Sequence, residues 1–267
     1  MPLMTKTARN YIVAILVPAL YFLLNLQALA AEGNPCLTCH ANVKAQKTIH
    51  QPLAMGCEAC HKAVEGKTHP EKGSMVLIKG MPALCYGCHE ESKFKGSSIH
   101  KPVSSGMCKA CHDPHSSDFK KLLRSEPPEL CYFCHDKGKF TKKYNHKVIN
   151  VIGCTTCHNP HISNNSSLLT DPINDLCLNC HKNQSSGFHI VSLPRKRQHP
   201  IKNVIDISTL KYIKAPDPVN PKKEIEIPDP KVPGKRLSCA SCHDPHSSDY
   251  PKLFTQQRIC SKCHNKY

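Results

Sequence analysis

The sequence predicts a mostly irregular fold with short α-helices and little β-structure, an elongated body built around a stacked row of prosthetic groups. Three observations predict it. All 18 cysteines fall into nine Cys-x-x-Cys-His motifs with none left over. The chain of 267 residues has no Trp, 22 Pro and few long apolar periodic stretches, so an ordinary hydrophobic core is out of reach. The motifs also recur at a nearly fixed step, the mark of a repeated architecture.

The motifs pair Cys36 with Cys39, Cys57 with Cys60, Cys85 with Cys88, Cys108 with Cys111, Cys131 with Cys134, Cys154 with Cys157, Cys177 with Cys180, Cys239 with Cys242, and Cys260 with Cys263. A single Cys-x-x-Cys-His is ambiguous, but a complete set reads as c-type haem attachment. Two thiols at this spacing reach the two vinyl groups of one porphyrin and deliver the next histidine beneath the iron. Zinc ribbons close with four ligands from two such pairs, which leaves a ninth pair and the histidines unexplained. A disulfide framework has no use for a His after every second Cys. Nine covalently bound c-type haems are expected.

Of the 18 histidines, nine are proximal candidates: His40, His61, His89, His112, His135, His158, His181, His243 and His264. The other nine are distal candidates: His50, His69, His100, His115, His146, His161, His189, His199 and His246. Equal numbers imply bis-histidine ligation. His115, His161 and His246 stand three residues after a proximal His, in His-Asp-Pro-His or His-Asn-Pro-His. Three residues span only about 10 Å, so each must ligate a haem other than its neighbour's. The next motif along is nominated, at Cys131, Cys177 and Cys260. His50, His100 and His146 lie seven or eight residues before a Cys and reach either the following haem or the preceding one.

The Cys-to-Cys steps are 21, 28, 23, 23, 23, 23, 62 and 21 residues, and the true repeat is a pair of motifs. The run from Cys108, Cys-Lys-Ala-Cys-His-Asp-Pro-His-Ser-Ser-Asp-Phe-Lys-Lys-Leu-Leu, matches Cys239 to Leu253, Cys-Ala-Ser-Cys-His-Asp-Pro-His-Ser-Ser-Asp-Tyr-Pro-Lys-Leu. His100 to His135 and His146 to His181 are full copies. His50 to His89 is a degenerate copy in which His69 has left the turn, and the first motif is an orphan half. In these residues the chain resembles the doubled Cys-x-x-Cys-His multihaem cytochromes c, which include periplasmic pentahaem electron donors and decahaem components of outer-membrane porin–cytochrome conduits. The resemblance covers Cys36 to His181 and Cys239 to His264. Nine motifs and a long insertion set this chain apart from both subgroups.

Four segments are expected: a signal peptide at 1–30, a seven-motif haem domain at 31–182, a Pro-rich insertion at 183–238 and a C-terminal haem pair at 239–267. Within the insertion, Ile201 to Ile213 has the apolar alternation of a short strand and pairs with Glu224 to Ile227. Ala215 to Pro233, with six prolines, reads as an extended semi-rigid spacer. Arg195, Lys196 and Arg197 form a short basic run, most simply a solvated one.

The leader carries Lys6 and Arg9, an apolar run from Tyr11 to Leu24 interrupted by Pro18, and Ala28-Leu29-Ala30, the layout of a secretory signal cleaved after Ala30. The run is shorter than the roughly 20 residues a membrane span needs. Export also suits the cofactor, because c-type haem is attached outside the bacterial cytoplasm. The expected location is the periplasm, with an outer-membrane or extracellular site as alternatives. Removing Lys6 and Arg9 lowers the formal charge from +16 to +14. Each ferric haem with both propionates ionised brings a charge of about −1. The lysines are then partners of propionates, and nucleic acid is not an expected partner.

The function expected is electron transfer along bis-His, low-potential haems in anaerobic respiration, with no catalytic residues of its own. Expected partners are redox proteins, either a quinol-oxidising cytochrome or a terminal acceptor, with an outer-membrane porin or other multihaem cytochromes as further candidates. Two alternatives stand beside it. One is a multihaem reductase or oxidase with an open iron, for which the first haem and His189 are the weak points of the count. The other is a subunit of an extracellular cytochrome filament, in which a neighbouring protomer ligates the orphan haem.

Overall fold

The computed structural model describes residues 34–186 and 204–264. The leader, the basic run at Arg195 to Arg197, His189 and His199 lie outside the described residues. The chain divides into two units, one made of residues up to Leu84 together with Cys111–Arg124, the other of Cys85–Ala110 and Ser125 onward.

Among the described residues regular structure is short, as the composition dictates. Most helices are single 3₁₀ or α turns, and Ile173–Cys180 is an eight-residue α-helix. Sheet is confined to six two-stranded antiparallel ladders among the described residues. In the first unit Thr48–Ile49 pairs with Ser116–Ser117, and His61–Ala63 pairs with Met75–Leu77. In the second, Ser98–Ile99 pairs with Ile162–Ser163, and Tyr144–Asn145 with Ser247–Ser248.

The polypeptide supplies almost no core. Among the described residues the buried hydrophobic side chains are Ile149 and Leu237, while the buried polar ones are Ser74, Ser116, Ser117, Asp206, Ser247 and Ser248. Hydrophobic burial is the main favourable term in folding, so two buried aliphatic side chains cannot offset the conformational entropy of this many ordered residues. The apolar surface that holds the fold must come from the cofactors.

The insertion is more ordered than its proline content suggests. Tyr212–Pro216 and Glu224–Pro228 form a five-residue antiparallel hairpin, with Ile213 opposite Ile227 and Ala215 opposite Ile225. Glu224 to Ile227 does form a strand, but its partner is Tyr212–Pro216, which shares only Tyr212 and Ile213 with the expected strand at Ile201 to Ile213; Ile207–Thr209 is a 3₁₀ turn instead. The extended spacer expected over Ala215 to Pro233 is instead partly hairpin, because Pro216 and Pro228 stand at strand ends, where a missing N–H is tolerated. A second ladder, Ile205–Asp206 with Lys235–Arg236, closes the base of the insertion. At its corner Gly234 has φ +77°, and a Cβ there would come within 2.9 Å of Leu210 Cδ2 and 3.0 Å of Ile205 Cγ2.

Candidate haem-iron centres

Each motif closes into one tight turn that presents its histidine. At seven of the nine, the His N–H donates to the carbonyl of the first Cys at 2.9–3.0 Å: His40, His89, His135, His158, His181, His243 and His264. This i→i−4 bond is one turn of helix, which puts both sulfurs and the imidazole on one side of the chain.

The structure then pairs motif histidines with non-motif histidines. His40 faces His69 with ring centres 5.9 Å apart, His61 faces His115 at 6.2 Å, and His135 faces His100 at 6.1 Å. His181 faces His146 at 6.1 Å and His158 faces His246 at 5.9 Å. A metal ion bonded to two imidazole nitrogens at about 2 Å each, with each nitrogen roughly 1 Å from its ring centre, sets the centres about 6 Å apart. The spacing fits one iron between the rings of each pair, and every pair joins one proximal candidate to one distal candidate.

Three details of the expected pairing change. His115 and His246 avoid the iron three residues away, as chain reach requires, but they face His61 and His158, which belong to earlier motifs rather than to the nominated Cys131 and Cys260. His100 and His146 face His135 and His181, so each skips the motif that follows it and meets the one after. His69, which seemed to have drifted from its repeat, stands beside His40 of the orphan first motif. The cause of the first two is a backbone clamp. His100 N–H donates to His161 O at 2.9 Å and His146 N–H to His246 O at 2.9 Å, at the ends of the Ser98–Ile99 and Tyr144–Asn145 ladders. His50 N–H donates to His115 O at 2.8 Å in the same way. Each clamp therefore carries the upstream His of one repeat and the turn His of the next.

The second ring nitrogen is also fixed. His50, His100 and His146 place Nδ1 2.8, 2.9 and 3.0 Å from the carbonyls of Pro114, Pro160 and Pro245, the prolines of the His-x-Pro-His turns. His112, His158 and His243 place Nδ1 2.8 Å from the carbonyls of Lys121, Ser167 and Lys252. A carbonyl can only accept, so Nδ1 carries the proton and Nε2 keeps its lone pair, the tautomer a metal needs. Asp113 and Asp244 lie 3.8 and 3.5 Å from Nδ1 of His115 and His246. Ser74, itself buried, lies 3.1 Å from Nδ1 of His69. Burial pushes the His246 imidazole below its ordinary pKa, which favours the neutral ring.

The acceptors Lys121, Ser167 and Lys252 were not visible as functional residues in the sequence. Each opens a pair of left-handed, non-glycine residues: Lys121 and Leu122 at φ 59° and 57°, Ser167 and Leu168 at 56° and 58°, Lys252 and Leu253 at 58° and 60°. Such residues cost of order 1–3 kcal/mol each and persist only where the surroundings over-determine them. Here the reversed chain returns to the motif: Leu122 O accepts from Asp113 N, Leu168 O from Asn159 N, and Leu253 O from Asp244 N, at 2.7–2.8 Å. Ser117, Ser163 and Ser248 hydroxyls donate to the carbonyls of Leu123, Leu169 and Phe254. The Ser-Ser and Ile-Ser strands thus anchor the loop that orients the proximal ring.

Adjacent motifs also lie near one another, two pairs of them in hydrogen-bond contact. Cys57 and Cys36 share a hydrogen bond in the first unit, with burial, the largest influence, pushing the Cys57 thiol up. In the second unit Cys131 and Cys154 flank Tyr132, Cys157 neighbours Cys180, and Cys242 neighbours Cys263 and Cys260. The Cys177 thiol donates to Cys239, raising its own pKa and lowering that of Cys239 to about 7 in the apoprotein. The motifs of Cys131, Cys154, Cys177, Cys239 and Cys260 thereby form a continuous series. Among the described residues no group of three or more His, Cys, Asp or Glu side chains is arranged to hold a metal by itself. His161 lies in the His100 clamp with its ring edge-on to Phe94, ring centres 5.5 Å apart.

No curated protein matches the chain significantly. The doubled CXXCH motif is matched four times, over residues 50–94, 100–140, 146–186 and 232–267, more than half of the chain. With its paired rings, lone-pair nitrogens and cysteine turns, this chain is a multihaem c-type cytochrome that belongs to the family of the doubled CXXCH motif.

Proposed function

We propose that the protein binds nine haems and serves as an electron carrier whose irons are all bis-histidine ligated, low-spin and of low potential. The bound iron supplies a one-electron Fe(III)/Fe(II) couple. The chain's part is to fix that couple in place and to fill its axial positions. The observation that carries the reading is the set of five facing histidine pairs at 5.9–6.2 Å. An iron with both axial positions taken has no place for a substrate ligand, so transfer rather than substrate chemistry is the fitting activity. The run of neighbouring motifs from Cys131 to Cys260 supports a continuous conducting row. His69 beside His40 gives the first motif an axial partner from its own chain, which removes the reason to look for an open iron or a neighbouring protomer there.

The setting we propose is anaerobic respiration on the periplasmic side after cleavage behind Ala30, between a quinol-oxidising cytochrome and a terminal acceptor, an outer-membrane conduit to extracellular acceptors included. The test is mass spectrometry with EPR on the mature holoprotein. Nine haem additions and only low-spin ferric signals are expected. A substantial axial high-spin signal, or tight binding of nitrite or carbon monoxide to the native protein, would move the reading to a reductase.

A further inference from the structure

Asp206 is the one buried carboxylate among the described residues, 2% exposed, and it sits where the insertion meets the last two motifs. Its Oδ1 accepts from Ser208 N at 3.1 Å and Ser208 Oγ at 2.5 Å, and it lies 3.7 Å from Cys263 Sγ. The Ser241 hydroxyl donates to it as well, and Lys262 is its cationic neighbour. Cys242 of the preceding motif also feels its charge. Burial alone would raise the carboxyl pKa, but the Ser208 and Ser241 hydrogen bonds and Lys262 outweigh it and hold the group below the ordinary range. Burying a carboxylate costs several kcal/mol unless it is hydrogen-bonded and paired. The set of donors around Asp206 meets that requirement.

We propose that Asp206 is a positioning residue for redox poise: its fixed negative charge lowers the reduction potentials of the haems held by Cys239 and Cys260, most strongly the latter. The inference rests on haem attachment at those two motifs. When Cys263 becomes a thioether it loses its S–H, and the carboxylate remains, held by Ser208 and Ser241 against the sulfur. Ferric bis-His haem carries one positive charge more than ferrous at its iron, so a nearby anion in a poorly solvated site favours the ferric form. Lys262, the cationic neighbour of this carboxylate with its Nζ 2.6 Å from Ser241 O, opposes this in part. The insertion is then more than a connection: its short ladder brings a charge to the end of the row.

The test is a potentiometric titration of the intact holoprotein, followed in the visible band, for Asp206→Asn and for Lys262→Gln. Asp206→Asn should shift the ferric-to-ferrous ratio of one or two haems about tenfold toward ferrous at a fixed potential, 59 mV for one electron, and leave the others in place. Lys262→Gln should move the same haems in the opposite direction. A structural disturbance moves both variants the same way, so shifts of one sign, or superimposed titrations, overturn the proposal. Mass spectrometry of each variant reports haem at Cys239 and Cys260, and its absence there in the unsubstituted protein overturns the haem reading itself.

Discussion

His146 and His246 are joined through their backbones, the amide of the first donating to the carbonyl of the second at 2.9 Å, while their rings turn to different partners 6.1 and 5.9 Å away. In the proposed ligation one clamp thus serves two iron sites, with His181 completing one and His158 the other. Its ladder is only two residues long on each side, Tyr144–Asn145 against Ser247–Ser248.

The pairing of His246 with His158 is separable from sequence neighbourhood by double substitution. His246→Ala should produce one high-spin iron with all thioether links intact. Adding His158→Ala should disturb no second haem, whereas adding His243→Ala should. EPR spin counts on the three variants distinguish the cases, since residues acting at one site are not additive. His115→Ala with His61→Ala should behave the same way.

The left-handed residue Lys252, at φ 58°, should welcome glycine. Lys252→Gly should raise holoprotein stability by about 1 kcal/mol, and Lys252→Val should lower it by about 1–3 kcal/mol. Thermal unfolding followed by the haem absorbance checks both signs. A Val variant as stable as the parent would contradict the geometry.

Ser247 is wholly buried; its hydroxyl donates to Lys139 O at 2.7 Å and accepts from Lys142 N at 3.3 Å. Ser247→Ala leaves both backbone groups short of a partner and should cost about 1–3 kcal/mol. Because His246 directly precedes this strand, the loss should also loosen the proposed ligand bond of His246 opposite His158, visible as carbon monoxide binding at one haem before global unfolding.

With Ile149 and Leu237 as the buried hydrophobic residues among those described, the polypeptide made without haem attachment should be largely unfolded, as in small domains that fold only with their metal. Circular dichroism and amide NMR dispersion test this. A cooperative thermal transition in the apoprotein would show that the chain has a core of its own.

The attachment sites were legible because their chemistry is local: the two cysteines and the histidine of each haem lie within five consecutive residues, and a covalent requirement leaves a fixed spacing. The fold class followed from the same motifs and from the scarcity of apolar periodicity. The pairing of His115 with His61 was not legible. It depends on ladders such as Thr48–Ile49 with Ser116–Ser117, too short to carry an alternation signal and built of serines that favour no element. Lys121, Ser167 and Lys252 escaped notice because their role belongs to a backbone carbonyl, which no side chain advertises. In the insertion the apolar run of Ile201 to Ile213 pointed to a strand, but only its last two residues, Tyr212 and Ile213, enter the hairpin, and Ala215 was hidden in a segment whose prolines pointed to a spacer.

The clamps also decide how a chain of this kind can grow or shrink. In the proposed ligation each repeat keeps one axial histidine for its own second haem, as His100 does for His135, and lends one backward to the first haem of the repeat before it, as His246 does to His158. The pattern is a running bond in which every course covers the joint of the one below. Removing or duplicating a whole internal repeat leaves lenders and borrowers matched, whereas changing the chain by a single motif strands an iron or a histidine. Haem number should therefore drift in steps of two across such proteins, and in the nine-haem reading proposed above the odd haem is accounted for by His69, which stands beside His40.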